Sequence, residues 1–509
     1  MKIQAVNTRI QNTSADAILI DHFEDTPDLF GEVALIDQRL NGAIRERIDS
    51  NDFCGRLNEV TVLYTHGALP SPRVILLGMG RKKHFSSESI HQAAAVGAKK
   101  ARELGCRSIA AIVPGISTPS LDRAVTAQAL VEGVLLGLYR WQTNQSAPVE
   151  RADPDLFYVA EADLTQLSAI ERGIQAGTSI ARGVCLARDL VNQAPNLMTP
   201  LGLAAAAEKM ARETGLRCTV HEVKWITEQK MTALTSVAQG SANLPAFIEL
   251  EYQGSREAPI VFVGKGVTFD SGGISLKPPE GMAEMSSDMG GAAVLIGAIQ
   301  AIADLKLPLH VVGLIPACEN LPGGKAYRPG DVIRSRSGKT IEIITTDAEG
   351  RVTLADALDY AADFKPQAVI DLATLTGSSV TALGENVAAA YFSNDDPLSK
   401  QVEEASRATG EKLWRLPLYP EYRDKIKSDY ADLKNAGGKY GGVGASASFL
   451  EEFTSYPWAH WDIASMVLDI IGPTAHYPLT HPPHIPYGAT GFGVQALVSL
   501  ARNWKSKEQ

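Results

Sequence analysis

The alternating apolar run TIEIITT passes straight into the charged turn DAEGR and from there into a helical pattern, RVTLADALDYAADF. Asp347, Glu349 and Arg351 are thereby confined to the joint between a strand and a helix. The same arrangement occurs upstream. The apolar run PIVFVGKG leads into VTFDSGGISLKP, which carries Lys265, Asp270 and Lys277, and SSDMGGA places Asp288 just before another apolar helical stretch, MGGAAVLIGAIQAIADL. A chain with charged residues at the ends of apolar strands, each strand followed by a helix, is constrained to an α/β fold with polar chemistry along one edge of its sheet.

Asp270, Asp288, Asp347 and Glu349 are carboxylates that cannot converge without repulsion, and one or more would take up a proton unless cations sat among them. A pair of divalent ions removes the conflict. All-oxygen ligands suit Mg, Mn or Zn, and a carboxylate bridging ions about 3.5–4 Å apart is the usual geometry. The competing reading is a set of solvated helix caps, where most carboxylates sit; strand ends and the flanking Gly264, Gly266, Gly272, Gly273, Gly290 and Gly291 favour a site. Lys265 and Lys277 stand either as ordinary solvated lysines or as a neutral metal ligand and an oxyanion donor. Arg351 cannot serve as a base, because guanidinium stays protonated. It would hold an anion, or pair with Glu349 or Asp356.

At 509 residues and 45% apolar content the chain has material for two hydrophobic cores. We expect a smaller N-terminal α/β domain over 1–160, from AILI, VTVLY, RVILLGMG, SIAAIVP and LFYVA with the intervening HQAAAVGAKKARELG. A connecting helix over 161–190 would lead to a larger C-terminal α/β domain over 191–509, with a central mixed sheet flanked by helices. The polar stretch Thr143 to Asp155 reads as a surface loop.

A net charge of -10 argues against a wholly basic nucleic-acid binder. Five widely spaced cysteines, none in CxxC, fit a reducing cytoplasm better than a disulfide framework. The first twenty residues lack the pattern of a signal peptide, and no unbroken run of 18 apolar residues suggests membrane insertion. HExxH, GxSxG and the phosphate loop GxxxxGK[ST] do not occur. His476, His481 and His484 share the segment HYPLTHPPHIPYG, whose spacing would bind adventitious metal but whose prolines indicate a loop; His460, in WAHWDIA, reads as a hydrogen-bonded core histidine.

With these residues assembled, the chain resembles the leucyl aminopeptidase, or cytosol aminopeptidase, family. VGKGVTFDSGGISLKP, DMGGAA, ENLPGGKAYRPGDV, GKTIEI, TDAEGR, LADAL, DLATLTG, WAHWDIA and GATGFGV follow one another from residue 263 to 494. The resemblance implies a variable, macro-like first domain and a catalytic second domain that releases N-terminal residues, preferably Leu and other apolar ones, from peptides. It implies that Asp270 and Glu349 bridge two divalent ions (Mn or Zn, with Mg or Co as substitutes), that Lys265 and Asp288 complete one site, and that Asp347 completes the other. Lys277 would stabilise the oxyanion, and Arg351 would hold a bicarbonate acting as general base. Met285, Thr374 and Gly377 would line the pocket for the first side chain. The family pattern also implies a homohexamer built as a dimer of trimers, and some bacterial members bind DNA, a role that the acidity of this chain disfavours. Two positions depart from the pattern: Thr345 stands where Asn is usual, and Ser286 where Lys often occurs.

Overall fold

The computed structural model describes residues 1–115, 122–141, 151–469 and 482–506. The chain divides into two compact units, whose described residues are 1–115, 122–141 and 151–181 with 482–486, and 182–469 with 487–506. The loop read over Thr143 to Asp155 lies largely outside the described residues, as do His476 and His481.

The first unit is built on a six-stranded sheet in the order Lys2–Asn7, Leu156–Glu161, Ser108–Ile112, Ala17–His22, Arg73–Gly78, Val60–Tyr64. All neighbours are parallel except the last pair. Its strands are apolar on both faces because helices cover both. Leu19, Ile75, Leu77, Ile109 and Val159 pack with the helices Ser87–Glu103 and Arg123–Leu138. The alternate residues Ile18, Ile20, Val74, Leu76 and Ala110 pack with Gly31–Arg39 and Ala43–Asp49. The period of two along each strand therefore divides the side chains between two cores. The connecting helix expected over 161–190 runs from Leu167 to Asn192.

The second unit carries a nine-stranded mixed sheet. At its centre Trp458–Asp462, Ala368–Ala373, Ile260–Gly264 and His310–Asn320 are parallel neighbours, and Gly266–Asp270 pairs with the end of His310–Asn320. The parallel strands all finish on one edge, which places Asp462, Thr374, Lys265, Asn320 and Asp270 at or just beyond their C-terminal ends. Two helices start at the same edge: Gly290–Asp304, just after Asp288, and Glu349–Ala361, whose first residue is Glu349. Gly291 is required where the first helix meets the sheet, since a Cβ there would lie 2.0 Å from the Leu372 carbonyl oxygen. The stretch Met282–Asp304 is apolar and long enough to cross a membrane, but 89% of its 18-residue apolar window is buried within the protein. All five cysteines are free.

Candidate active site

Lys265, at the end of its strand and 2% exposed, places its Nζ 2.7 Å from Asp288 Oδ1, 2.9 Å from Glu349 Oε1 and 3.0 Å from the Thr374 carbonyl oxygen. Thr374 in turn donates from Oγ1 to Asp288 Oδ1 at 2.7 Å. Lys277 Nζ lies 2.7 Å from Asp270 Oδ2 and donates to Asp347 Oδ1. Carboxylate oxygens of Asp270, Asp347 and Glu349 lie within 4.8 Å of one another. Asp288 stands outside that group of three and is joined to it through Lys265.

The electrostatics follow from gathering four carboxylates, three of them buried and Asp347 exposed, around two ammonium groups. Burial pushes Asp270 up, reinforced by Glu349, to about 6. Burial likewise holds Asp288 well above the usual carboxylate range and raises Asp347. For Glu349 burial acts in the same sense, but the charges of Lys265 and Lys277 overcome it and bring the group down to about 2. Burial would lower both lysines, yet Asp288 and Glu349 around Lys265, and Asp270 and Glu349 around Lys277, raise them. The ammonium groups thus occupy positions that favour positive charge. Asp288 Oδ2 is buried and, among the described residues, has only the ion-pair contact with the Lys265 nitrogen at 2.7 Å, without hydrogen-bond geometry. A cluster of three carboxylates with a fourth beside it fits divalent ions, with the lysine amines as the protein's own counter-charge.

Arg351 is buried and donates from Nη1 to the Asn435 carbonyl oxygen at 3.0 Å; its Nε has no hydrogen-bond partner among the described residues. Asp356, one of the partners considered for it, instead accepts from the backbone N–H groups of Leu234 and Arg336. Burial lowers the guanidinium to about 10, against the pull of Glu349, Asp462 and Asp347. A desolvated guanidinium with an unused donor fits a small anion.

Of the three pocket candidates, Thr374 is drawn into the cluster through Asp288. Met285 is tied to the same residue, its carbonyl oxygen accepting from the Asp288 N–H at 3.4 Å. Gly377 is exposed at the start of the helix Gly377–Leu383, and a Cβ there would meet no atom within 4 Å. His460 is a core residue, with Nδ1 2.6 Å from Asp371 Oδ1.

Sequence reasoning passed over the residues that hold the cluster in shape. Asn320, fully buried, donates from Nδ2 to Asp270 Oδ1 at 2.8 Å and to the Thr346 carbonyl oxygen at 2.9 Å. Tyr327 donates to that same carbonyl at 2.9 Å. Thr346 Oγ1 donates to the Gly272 carbonyl oxygen at 2.6 Å and accepts from Ser275 N, joining the two charged loops. Asn435 accepts from Ile344 N at 2.8 Å and donates to the Thr345 carbonyl at 2.7 Å. Asn320 was within reach, since it closes an apolar strand just as Lys265 does. Asn435, distant in sequence and in no strand-end pattern, was not. The unusual Thr345 accepts from Asp347 N at 3.2 Å, and Ser286 donates to the Ala283 carbonyl oxygen at 3.3 Å.

A mixed-sheet edge that gathers carboxylates and lysines, with neither an HExxH helix nor a serine elbow, defines the general class of a hydrolase with a carboxylate-rich site. Residues 185–498 match the catalytic domain of the cytosol aminopeptidase family, and residues 23–148 match that family's N-terminal domain. The probable cytosol aminopeptidase of Geobacter sulfurreducens is 45% identical over 96% of each chain, and that of Roseiflexus castenholzii is 43% identical over 92% of this chain and 94% of its own. Among solved structures, the bottromycin maturation enzyme BotP in complex with Mn superposes with a TM-score of 0.84 at 34% identity, covering 96% of this chain and 99% of BotP. A mutant tomato leucine aminopeptidase gives 0.86 at 31%, covering 99% and 96%. The chain belongs to the cytosol aminopeptidase family, and it is an aminopeptidase, a peptide hydrolase.

Proposed function

We propose that this chain removes N-terminal residues, preferably Leu and other apolar ones, from peptides with the help of two divalent ions held by Lys265, Asp270, Asp288, Asp347 and Glu349. The observation that carries the reading is the convergence of the Asp270, Asp347 and Glu349 oxygens within 4.8 Å. Asp270 and Glu349 would be shared, Lys265 and Asp288 would serve one ion, and Asp347 the other. When bound, the ions would polarise the scissile carbonyl and render a water nucleophilic at neutral pH. Mn or Zn suits this donor set best, with Mg or Co as substitutes.

Lys277 now lies against Asp270 and Asp347. Once their charge is taken up, its ammonium is free to turn toward the substrate and donate to the oxyanion that develops on the carbonyl oxygen. Lys265 would have to shed its proton to ligate, which direct repulsion from a dication promotes. Arg351 offers its unused Nε–H to bicarbonate as the general base, in a site where no histidine is in reach of the cluster among the described contacts. Exposed Gly377 leaves open space for a first side chain, with Met285 and Thr374 beside Asp288.

A free α-amine binds such a site only where no residue precedes it, so a blocked peptide should resist. Protein stripped with chelator should recover hydrolysis of leucine p-nitroanilide on resupply of Mn, Zn, Mg or Co, and leave the N-acetylated substrate intact. Silence with every metal from folded protein would overturn the reading. The free cysteines support a cytoplasmic setting, and the hexamer expected from the family is checked by mass in solution.

A further inference from the structure

A second cluster of ligand-type side chains lies within the first unit. Glu88 and His91 are one turn apart on the helix Ser87–Glu103 and share a face. His484 reaches them from the turn at 482–486, which Lys99 on the same helix holds by donating to the Pro483 carbonyl oxygen. Glu88 Oε2 stands 3.7 Å from His91 Nδ1 and 3.8 Å from His484 Nε2. The three ligand-type atoms fall within 4.8 Å of one another.

The surroundings prepare each group for a cation. Gln92 Nε2 donates to Glu88 Oε1 at 2.7 Å and is itself held by Asn58, which leaves Oε2 turned to the histidines. Across the His91 ring, Glu132 Oε2 lies 3.4 Å from Nε2, and Gln128 donates to the other Glu132 oxygen at 2.7 Å. A carboxylate on the far nitrogen is the arrangement that fixes the tautomer of a metal-ligating histidine and raises its basicity. Gly133 permits it, because a Cβ there would lie 2.6 Å from the His91 carbonyl oxygen and force apart the helices that carry Glu132 and His91. His91 is only 2% exposed, and its ring nitrogens face the Glu88 and Glu132 carboxylates at 3.7 and 3.4 Å, with no hydrogen bond of regular geometry among the described residues.

We propose that Glu88, His91 and His484 bind a further divalent ion, of the zinc class, separate from the two catalytic ions, and that this ion pins the 482–486 turn to the helix. Two imidazoles and one carboxylate are borderline-soft donors that suit Zn. Zn–N distances of about 2.0–2.1 Å require ligand atoms about 3.3 Å apart in a tetrahedron, so the two spacings from Glu88, 3.7 and 3.8 Å, have to close by about half an ångström. The fourth position falls to water. The rival occupant is a proton on His91, which burial disfavours but Glu132 and Glu88 favour.

The test uses full-length protein, stripped with chelator, then given ZnCl2 or CoCl2 alone and freed of excess. Metal content is measured in wild type, His91→Gln and His484→Gln. The expected result is one fewer ion per chain in each variant, with loss of the tetrahedral Co(II) absorption, and a Glu132→Gln variant about tenfold weaker in affinity. Equal metal content and an unchanged Co(II) spectrum in His91→Gln and His484→Gln would overturn the proposal, leaving the proton as occupant. His484 lies outside the helix, so its variant decides if His91→Gln does not fold. Leucine p-nitroanilide hydrolysis, followed in parallel, reports on the catalytic site alone and separates failure of this proposal from failure of the aminopeptidase mechanism.

Discussion

Gly350 is the floor on which Lys265 rests: a Cβ at position 350 would stand 2.4 Å from Lys265 Cε and 2.7 Å from its Nζ. The absence of a side chain there is what lets the ammonium reach Glu349, the preceding residue on the same helix, and Asp288 together. Position 350 therefore shapes the site through Lys265.

Gly350→Ala should fold, because the clash is with a side-chain end and not with backbone, but it should displace the Lys265 amine from its carboxylates. A displacement of about 1 Å in such a site costs about 10²-fold in rate. We expect kcat/KM for leucine p-nitroanilide to fall by that order with little change in melting temperature; near wild-type activity would show that the Lys265 position is not critical.

Lys277→Met should lower kcat by about 10²–10³-fold, the usual cost of losing one oxyanion donor, while leaving the bound metal content unchanged. If metal content falls in step with activity, Lys277 serves to hold the cluster and not the oxyanion.

Asn435→Ala removes the groups that meet Ile344 N and the Thr345 carbonyl oxygen, and so unties the loop that carries Asp347. Leaving buried backbone groups unsatisfied costs about 1–3 kcal/mol each. Melting temperature and kcat/KM should fall together. A variant that loses stability but keeps full kcat/KM would show that the loop holds its shape without this residue.

Asp356 yields a pH dependence. Burial, opposed by the N–H groups of Arg336, Leu234 and Ala233, pushes its carboxyl up to about 7. The folded state therefore holds this proton at pH values where the unfolded chain, titrating near about 3.9, has lost it. Its stabilising contribution is complete below about pH 4 and is lost as pH rises through about 7. The melting temperature of Asp356→Asn relative to wild type should thus improve steadily between pH 5 and pH 7.5; parallel profiles would show that the three donors keep the carboxylate ionised throughout.

Much of this molecule was legible from strand ends alone. Lys265, Asp270 and Asp288 flank apolar runs, and Glu349 opens a helix, so local patterning already assigned them to one edge of an α/β sheet. The charge conflict among the carboxylates likewise required no coordinates, since like charges that meet must be neutralised wherever they meet. Tertiary structure alone decided how the conflict is arranged: Lys265 between Asp288 and Glu349, Lys277 between Asp270 and Asp347. It also decided that Arg351 would turn to Asn435 and not to Asp356, that Asn435 would hold a loop some 90 residues away in the chain, and that His484 would meet Glu88 and His91. The physical reason is range. Periodicity and propensity act over a few residues, whereas a buried charge is satisfied by whichever donor the packed sheet and helices bring within about 3 Å, and no local pattern records that distance.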